Sequence, residues 1–211
     1  IYCFTKKGEF ITMGYKAARD GLKKFFENAM VPLLVLLNKL HITPNFITWV
    51  GLIINLAGAF LIYKGFFVWG ALVIIFASIF DMIDGSLARY TNQKSKFGGF
   101  LDSVTDRISE GALYLALLMY YLNLEVPDKT AVILCYVVVF SSFLVSYLRA
   151  RAGGLKIDCS GGIFTRPERM VVILLGLLIN QAVPALWIMA VLSIVTVIQR
   201  FLLVNEQAKH I

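Results

Sequence analysis

From Thr130 to Tyr147 the chain reads TAVILCYVVVFSSFLVSY, eighteen residues without a charged side chain. A run of that length matches the hydrocarbon core of a bilayer, where every backbone N–H and C=O must find its partner inside the protein. Five more apolar stretches accompany it: Pro44 to about Tyr63, Phe67 to Leu87, Phe100 to Leu122, the stretch after Arg169 to Leu178, and Pro184 to Val204. The pattern predicts an all-α integral membrane protein of six transmembrane helices. Thr43 and Pro44 supply an N-cap residue and a proline at the first helical position of span one. Before it, residues 16–40 alternate charged and apolar positions at helical spacing, which predicts an amphipathic helix lying on the membrane surface. The chain thus divides into an N-terminal segment, 1–40, and a six-helix domain, 41–211. No short apolar core with a cleavage site precedes the spans, so span one is expected to act as the membrane signal.

A hydrophobic content of 59% exceeds the 45–50% usual for soluble domains. The formal charge of +7 does not point to nucleic acid, because the cations sit between apolar segments with no aromatic interleaving. Eighteen of the twenty Lys and Arg residues fall on one side of the predicted bundle, and only Lys64 and Lys129 on the other. The richer side is cytosolic by the positive-inside bias, which places both termini there, in the cytoplasmic membrane. Cys3, Cys135 and Cys159 form neither a CxxC pair nor a disulfide framework.

Four aspartates interrupt this apolar chain. Asp81 and Asp84 are spaced i, i+3, and Asp102 and Asp106 are spaced i, i+4, so each pair shares one helix face at the cytosolic ends of spans two and three. A carboxylate at mid-membrane costs about 2.5–3.5 kcal/mol, so four without compensation would cost roughly 10–14 kcal/mol. Ion pairs with Arg89, Lys94, Lys96 or Arg107 would offset part of this. Shared carboxylates also suit one or two Mg²⁺ ions, or Mn²⁺, completed by water and substrate phosphates. No histidine or cysteine pair stands nearby for zinc, since His41 and His210 lie outside the cluster. Small residues at Gly85, Ala88, Gly98 and Gly99 leave room for a ligand where the acids meet.

The segment reads Asp81-x2-Asp84-Gly85-x2-Ala88-Arg89-x8-Gly98-x3-Asp102-x3-Asp106, which resembles the signature of the CDP-alcohol phosphotransferase family at every motif position. That family joins a CDP-linked lipid to an alcohol and releases CMP. The resemblance implies Asp81, Asp84, Asp102 and Asp106 as metal ligands, with Asp106 also the catalytic base on the acceptor hydroxyl. It implies Asp81, Asp84, Gly85, Ala88, Arg89, Gly98 and Asp102 as the CDP-binding set, and a homodimer as the assembly.

A second cluster bears on the acceptor. Arg149 and Arg151 end span four, and Arg166 and Arg169 open span five, all on the cytosolic side. The planar guanidinium fork suits a phosphate, so these four arginines predict a phosphorylated polyol as acceptor. Ser146-Tyr147-Leu148-Arg149-Ala150-Arg151, Gly161-Gly162 and Arg166-Pro167-Glu168-Arg169 are similar to the phosphatidylinositol-phosphate synthase branch, which uses CDP-diacylglycerol and inositol phosphate. The chain departs from that branch at Arg149, where lysine is common, and at Gly153-Gly154. Glycerol 3-phosphate, with the chain as a phosphatidylglycerophosphate synthase, is the alternative. A divalent-cation transporter is the alternative from another class, but the acids crowd one end of the bundle and leave the far half without a polar path.

Overall fold

A computed structural model describes residues 31–159 and 161–209. Among them every regular element is helical: α1 at residues 31–39, α2 Pro44–Tyr63, α3 Phe67–Tyr90, α4 Lys96–Leu122, α5 Lys129–Gly154, α6 Arg166–Leu178 and α7 Ala182–Ala208. The starts are written locally. Thr43 Oγ1 accepts from the Phe46 N–H at 3.3 Å with Pro44 in the first turn, Ser95 Oγ accepts from Gly98 N–H at 2.9 Å, and Asp128 accepts from Ala131 N–H at 3.0 Å. At α6 the Glu168 carboxylate reaches back to the Thr165 N–H at 2.8 Å.

α2 and α3 form a tight hairpin through Gly65, which adopts φ +84°. Along it a Cβ on Gly58 would stand 2.7 Å from Ile74 Cγ1 and 3.1 Å from the Gly70 carbonyl oxygen. Backbones can come this close only where side chains are absent, and such close packing is what holds helices together when lipid is as apolar as the core. α4 packs on α2 and α5, while α7 packs on α5 and α6. Ile62, Ile74, Leu117, Leu177, Leu186 and Met189 fill the shared core. Trp69 and Trp187 stay exposed near the helix ends opposite the aspartates, where amphipathic rings suit a membrane boundary.

Four helices, α2, α3, α5 and α7, are long and apolar enough to cross a bilayer. α4 falls short because Asp106, Arg107 and Glu110 interrupt its middle and leave no apolar run of that length. α6 falls short because its 13 residues rise only about 20 Å against a core of about 30 Å. Helix ends also differ from the sequence reading. α3 runs on to Tyr90, α4 begins at Lys96, and α5 continues to Gly154, so Arg149 and Arg151 ride on helix. Hydropathy registers where lipid ends, while i→i−4 hydrogen bonding continues into the polar region. Of the predicted surface helix, residues 16–30 lie outside the described residues. Residues 31–39 are helical, with Leu34 buried against Ile47, Ile83 and Leu87, while Leu33, Leu36 and Leu40 remain exposed.

Candidate active site

The aspartates occupy the C-terminal half of α3 and the N-terminal half of α4, and the start of α2 passes behind them. Asp84 is 6% exposed, and its Oδ2 accepts from Thr48 Oγ1 at 2.6 Å. A Cβ on Gly51 would stand 3.4 Å from Asp81 Oδ1, so α2 runs close against this carboxylate too. Gly98 admits a second approach, since its Cβ would meet Asn45 Oδ1 at 3.3 Å and Ser95 Oγ at 3.1 Å. A Cβ on Gly99, by contrast, would meet nothing within 4 Å.

Two cavities open here. One of about 490 Å³ is lined by Asp81, Asp84, Gly85, Ala88, Arg89, Gly98 and Asp102, with Asn45, Thr48 and Lys94 on its wall. All seven residues of the set implied for CDP therefore face one space. Arg89 also donates from Nη2 to Ser86 Oγ at 2.9 Å. The second cavity, about 720 Å³, is lined by Arg107, Ser146, Arg149, Arg166, Arg169 and Arg200 among others. Arg151 is exposed and does not line it.

Arg166 joins the two. Its Nη2 lies 2.6 Å from Asp106 Oδ1 and 3.8 Å from Asp81 Oδ2, so a guanidinium from α6 spans carboxylates of α3 and α4. Arg107 flanks Asp106 from the other side at 3.6 Å and donates to Ser146 Oγ. Arg169 is placed differently. It is 1% exposed, donates from Nε and Nη2 to the Glu110 carboxylate at 2.9 and 3.3 Å, and from Nη1 to the Phe164 carbonyl at 3.5 Å. Its nitrogens are engaged inside the protein, which sets it apart from Arg149 and Arg166 in the predicted phosphate-binding group.

The four carboxylates do not converge on one point as they stand. Among the described residues no three acidic, cysteine or histidine side chains are grouped to hold one metal ion. Asp84 turns to Thr48, and Asp81 and Asp106 turn to Arg166. The donor set is nonetheless all carboxylate oxygen, and a cationic group already sits between two of its members. Both features fit hard divalent ions.

Glu110, Thr48 and Arg200 entered no sequence-based site. Glu110 continues the i, i+4 ladder from Asp102 and Asp106, a signal the sequence does carry. Arg200 counted only toward topology, yet it is 3% exposed and donates to the Val145 carbonyl at 2.6 Å and the Gly161 carbonyl at 2.9 Å. Gly162, at φ +136°, lets the 161–164 loop meet it, since a Cβ there would stand 2.8 Å from Thr196 Cγ2.

Residues 41–199 match the sequence profile of the CDP-alcohol phosphatidyltransferases. Over 183 residues the chain is 37% identical to the phosphatidylinositol phosphate synthase of Corynebacterium glutamicum, covering 83% of each protein. The crystal structure of Mycobacterium tuberculosis phosphatidylinositol phosphate synthase with CDP-DAG bound superposes with a TM-score of 0.78 at 32% identity, over 82% of this chain and 92% of that one. The same enzyme in complex with manganese and citrate gives 0.77, over 82% and 87%.

Proposed function

Because the chain belongs to the CDP-alcohol phosphatidyltransferase family, we propose that it transfers the phosphatidyl group of CDP-diacylglycerol to inositol phosphate and releases CMP. The observation that carries this reading is the pair of cavities, one lined by the CDP-binding set and one by arginines, with Asp106, Asp81 and Arg166 between them. A phosphoryl transfer needs donor and acceptor on opposite sides of one phosphorus, and this arrangement supplies two sides.

Asp106 takes the proton of the acceptor hydroxyl. The hydroxyl oxygen then bonds to the lipid-linked phosphorus, the anhydride bond to the cytidylyl phosphate breaks, and its electron pair leaves with CMP. Gly85, Ala88 and Gly98 make room for the nucleotide, and Arg89 stands beside its phosphates. Arg149 and Arg166 bind the acceptor's own phosphate. Arg151, off the cavity wall, stays outside that group.

The family uses divalent metal, and a relative has been solved with manganese. Asp81, Asp84, Asp102 and Asp106 would hold Mg²⁺ or Mn²⁺, which when bound offsets the diphosphate charge and polarises the phosphoryl oxygens. Thr48 fixes the direction of one of these carboxylates. In the membrane, α4 and α6 join the four long apolar helices as six crossings. The aspartate end faces the cytosol by the cation bias, and the domain 41–211 acts as a homodimer.

The test is CMP release by the purified protein with Mg²⁺ and CDP-diacylglycerol, comparing inositol 1-phosphate, inositol, glycerol 3-phosphate and serine. Release with inositol 1-phosphate alone supports the reading. Release with glycerol 3-phosphate alone keeps the aspartate chemistry and replaces the acceptor.

A further inference from the structure

We propose that Glu110 and Arg169 form a positioning pair whose task is to place Arg166 against Asp106 and the acceptor, an inference that rests on the reaction proposed above. α4 and α6 are not among the closely packed helix pairs of the described residues, so long side chains span the gap between them. Two guanidinium–carboxylate rungs do so. Both rungs meet the larger cavity through their arginines; the outer one joins Arg166 to Asp106 at 2.6 Å, and the inner one, Arg169 to Glu110, has both side chains 1% exposed.

The rungs are in register because of helix geometry. Arg166 and Arg169 are i, i+3 on α6, and Asp106 and Glu110 are i, i+4 on α4, so each rung lies about one turn from the other. The inner rung is bidentate, which fixes orientation as well as distance, and Arg169 Nη1 also holds the Phe164 carbonyl just ahead of α6. Three contacts thereby set both the height and the rotation of the first turn of α6. Arg166 lies on that turn, so its reach to Asp106 depends on them.

A buried ion pair is a poor way to gain stability, since its desolvation penalty often equals or exceeds the attraction it recovers. Apolar residues of similar volume commonly replace such a pair with no loss of fold. What they cannot supply is a directional link, and this separates a positioning role from a merely structural one.

The experiment uses the purified full-length protein in the double variant Glu110→Leu/Arg169→Met, with Glu110→Gln and Glu110→Asp as singles. KM for each substrate, kcat and thermal midpoint are measured with whichever phosphorylated acceptor the wild type uses. If the wild type ignores inositol 1-phosphate, the function proposed above fails while the positioning test still proceeds on glycerol 3-phosphate. The positioning role predicts that the double variant holds its thermal midpoint while the acceptor KM rises at least about tenfold and the CDP-diacylglycerol KM stays within about twofold. Glu110→Asp, which keeps the charge on a shorter arm, recovers part of the loss relative to Glu110→Gln. A wild-type acceptor KM in the double variant, or an equal rise in both KM values, overturns the proposal. Should the double variant not fold, Glu110→Gln decides alone: an acceptor KM unchanged from wild type rejects the role.

Discussion

Thr48→Val removes one hydroxyl and keeps the shape of the side chain. In the structure that hydroxyl donates to Asp84 Oδ2 at 2.6 Å, and Asp84 is 6% exposed. The weaker 3.2 Å contact from the same Oγ1 to the Pro44 carbonyl shares a single proton with it, so one strong bond is lost. A hydrogen bond to a charged group contributes about 1.5–3 kcal/mol, or roughly 10- to 150-fold in an equilibrium constant. Deleting an outer partner of a metal-binding side chain weakens metal binding about 10- to 100-fold, in agreement. Both routes give the same expectation: the Mg²⁺ concentration for half-maximal CMP release rises by about one to two orders of magnitude. Mn²⁺ titration of the detergent-solubilised protein by electron paramagnetic resonance measures the binding without turnover. Thr48→Ser keeps the hydroxyl and should stay near wild type. An unchanged metal requirement in Thr48→Val, or an equal defect in Thr48→Ser, would refute the reasoning, the latter by tracing the effect to the lost methyl group.

Asp106→Asn should lower turnover by at least about 10²-fold, the usual contribution of a positioned base, while CDP-diacylglycerol still binds in equilibrium titration. Arg166→Gln is expected to raise the KM for the phosphorylated acceptor by about tenfold or more with a smaller change for the CDP-lipid, measured by initial rates. Gly58→Ala forces a Cβ to within 2.7 Å of Ile74 Cγ1 and 3.1 Å of the Gly70 carbonyl oxygen. Overpacking of that kind costs about 1–3 kcal/mol, which thermal unfolding should show as a lowered midpoint with both KM values unaltered.

How much of this was legible in the sequence depends on how far apart the interacting residues lie. Thr43 and Pro44 announce the start of α2 because a cap and its helix are neighbours in sequence. The seven residues proposed to bind CDP line one cavity because each half of the set shares a helix face, and one short turn joins the halves. Arg169 and Glu110 are 59 residues apart, and no local pattern says that an arginine opening α6 will turn inward to an acid on α4. The same arginine served as a topology signal and a phosphate ligand in the sequence, where burial has no expression. Arg200 was hidden for the same reason. The charges of α4 break its apolar run because they belong to the candidate site and its buried pairs, and average hydropathy does not separate such a helix from a polar one.

The shortness of α6 sets the depth of the chemistry. α6 has 13 residues and α7 has 27, and the two turn into each other at residues 179–181. Read as straight antiparallel rods, α7 continues for about 20 Å beyond the level at which α6 begins. Arg166 and the carboxylates it touches therefore sit that far along the bundle from the end of α7, with the Arg166 and Asp81 side chains still 29% and 30% exposed. A two-tailed donor meets that level from the leaflet with its head group, whereas a water-soluble acceptor meets it from the cavity lined by Arg149 and Arg166. The architecture thus moves the phosphorylated polyol to the lipid and spares the lipid the journey into water.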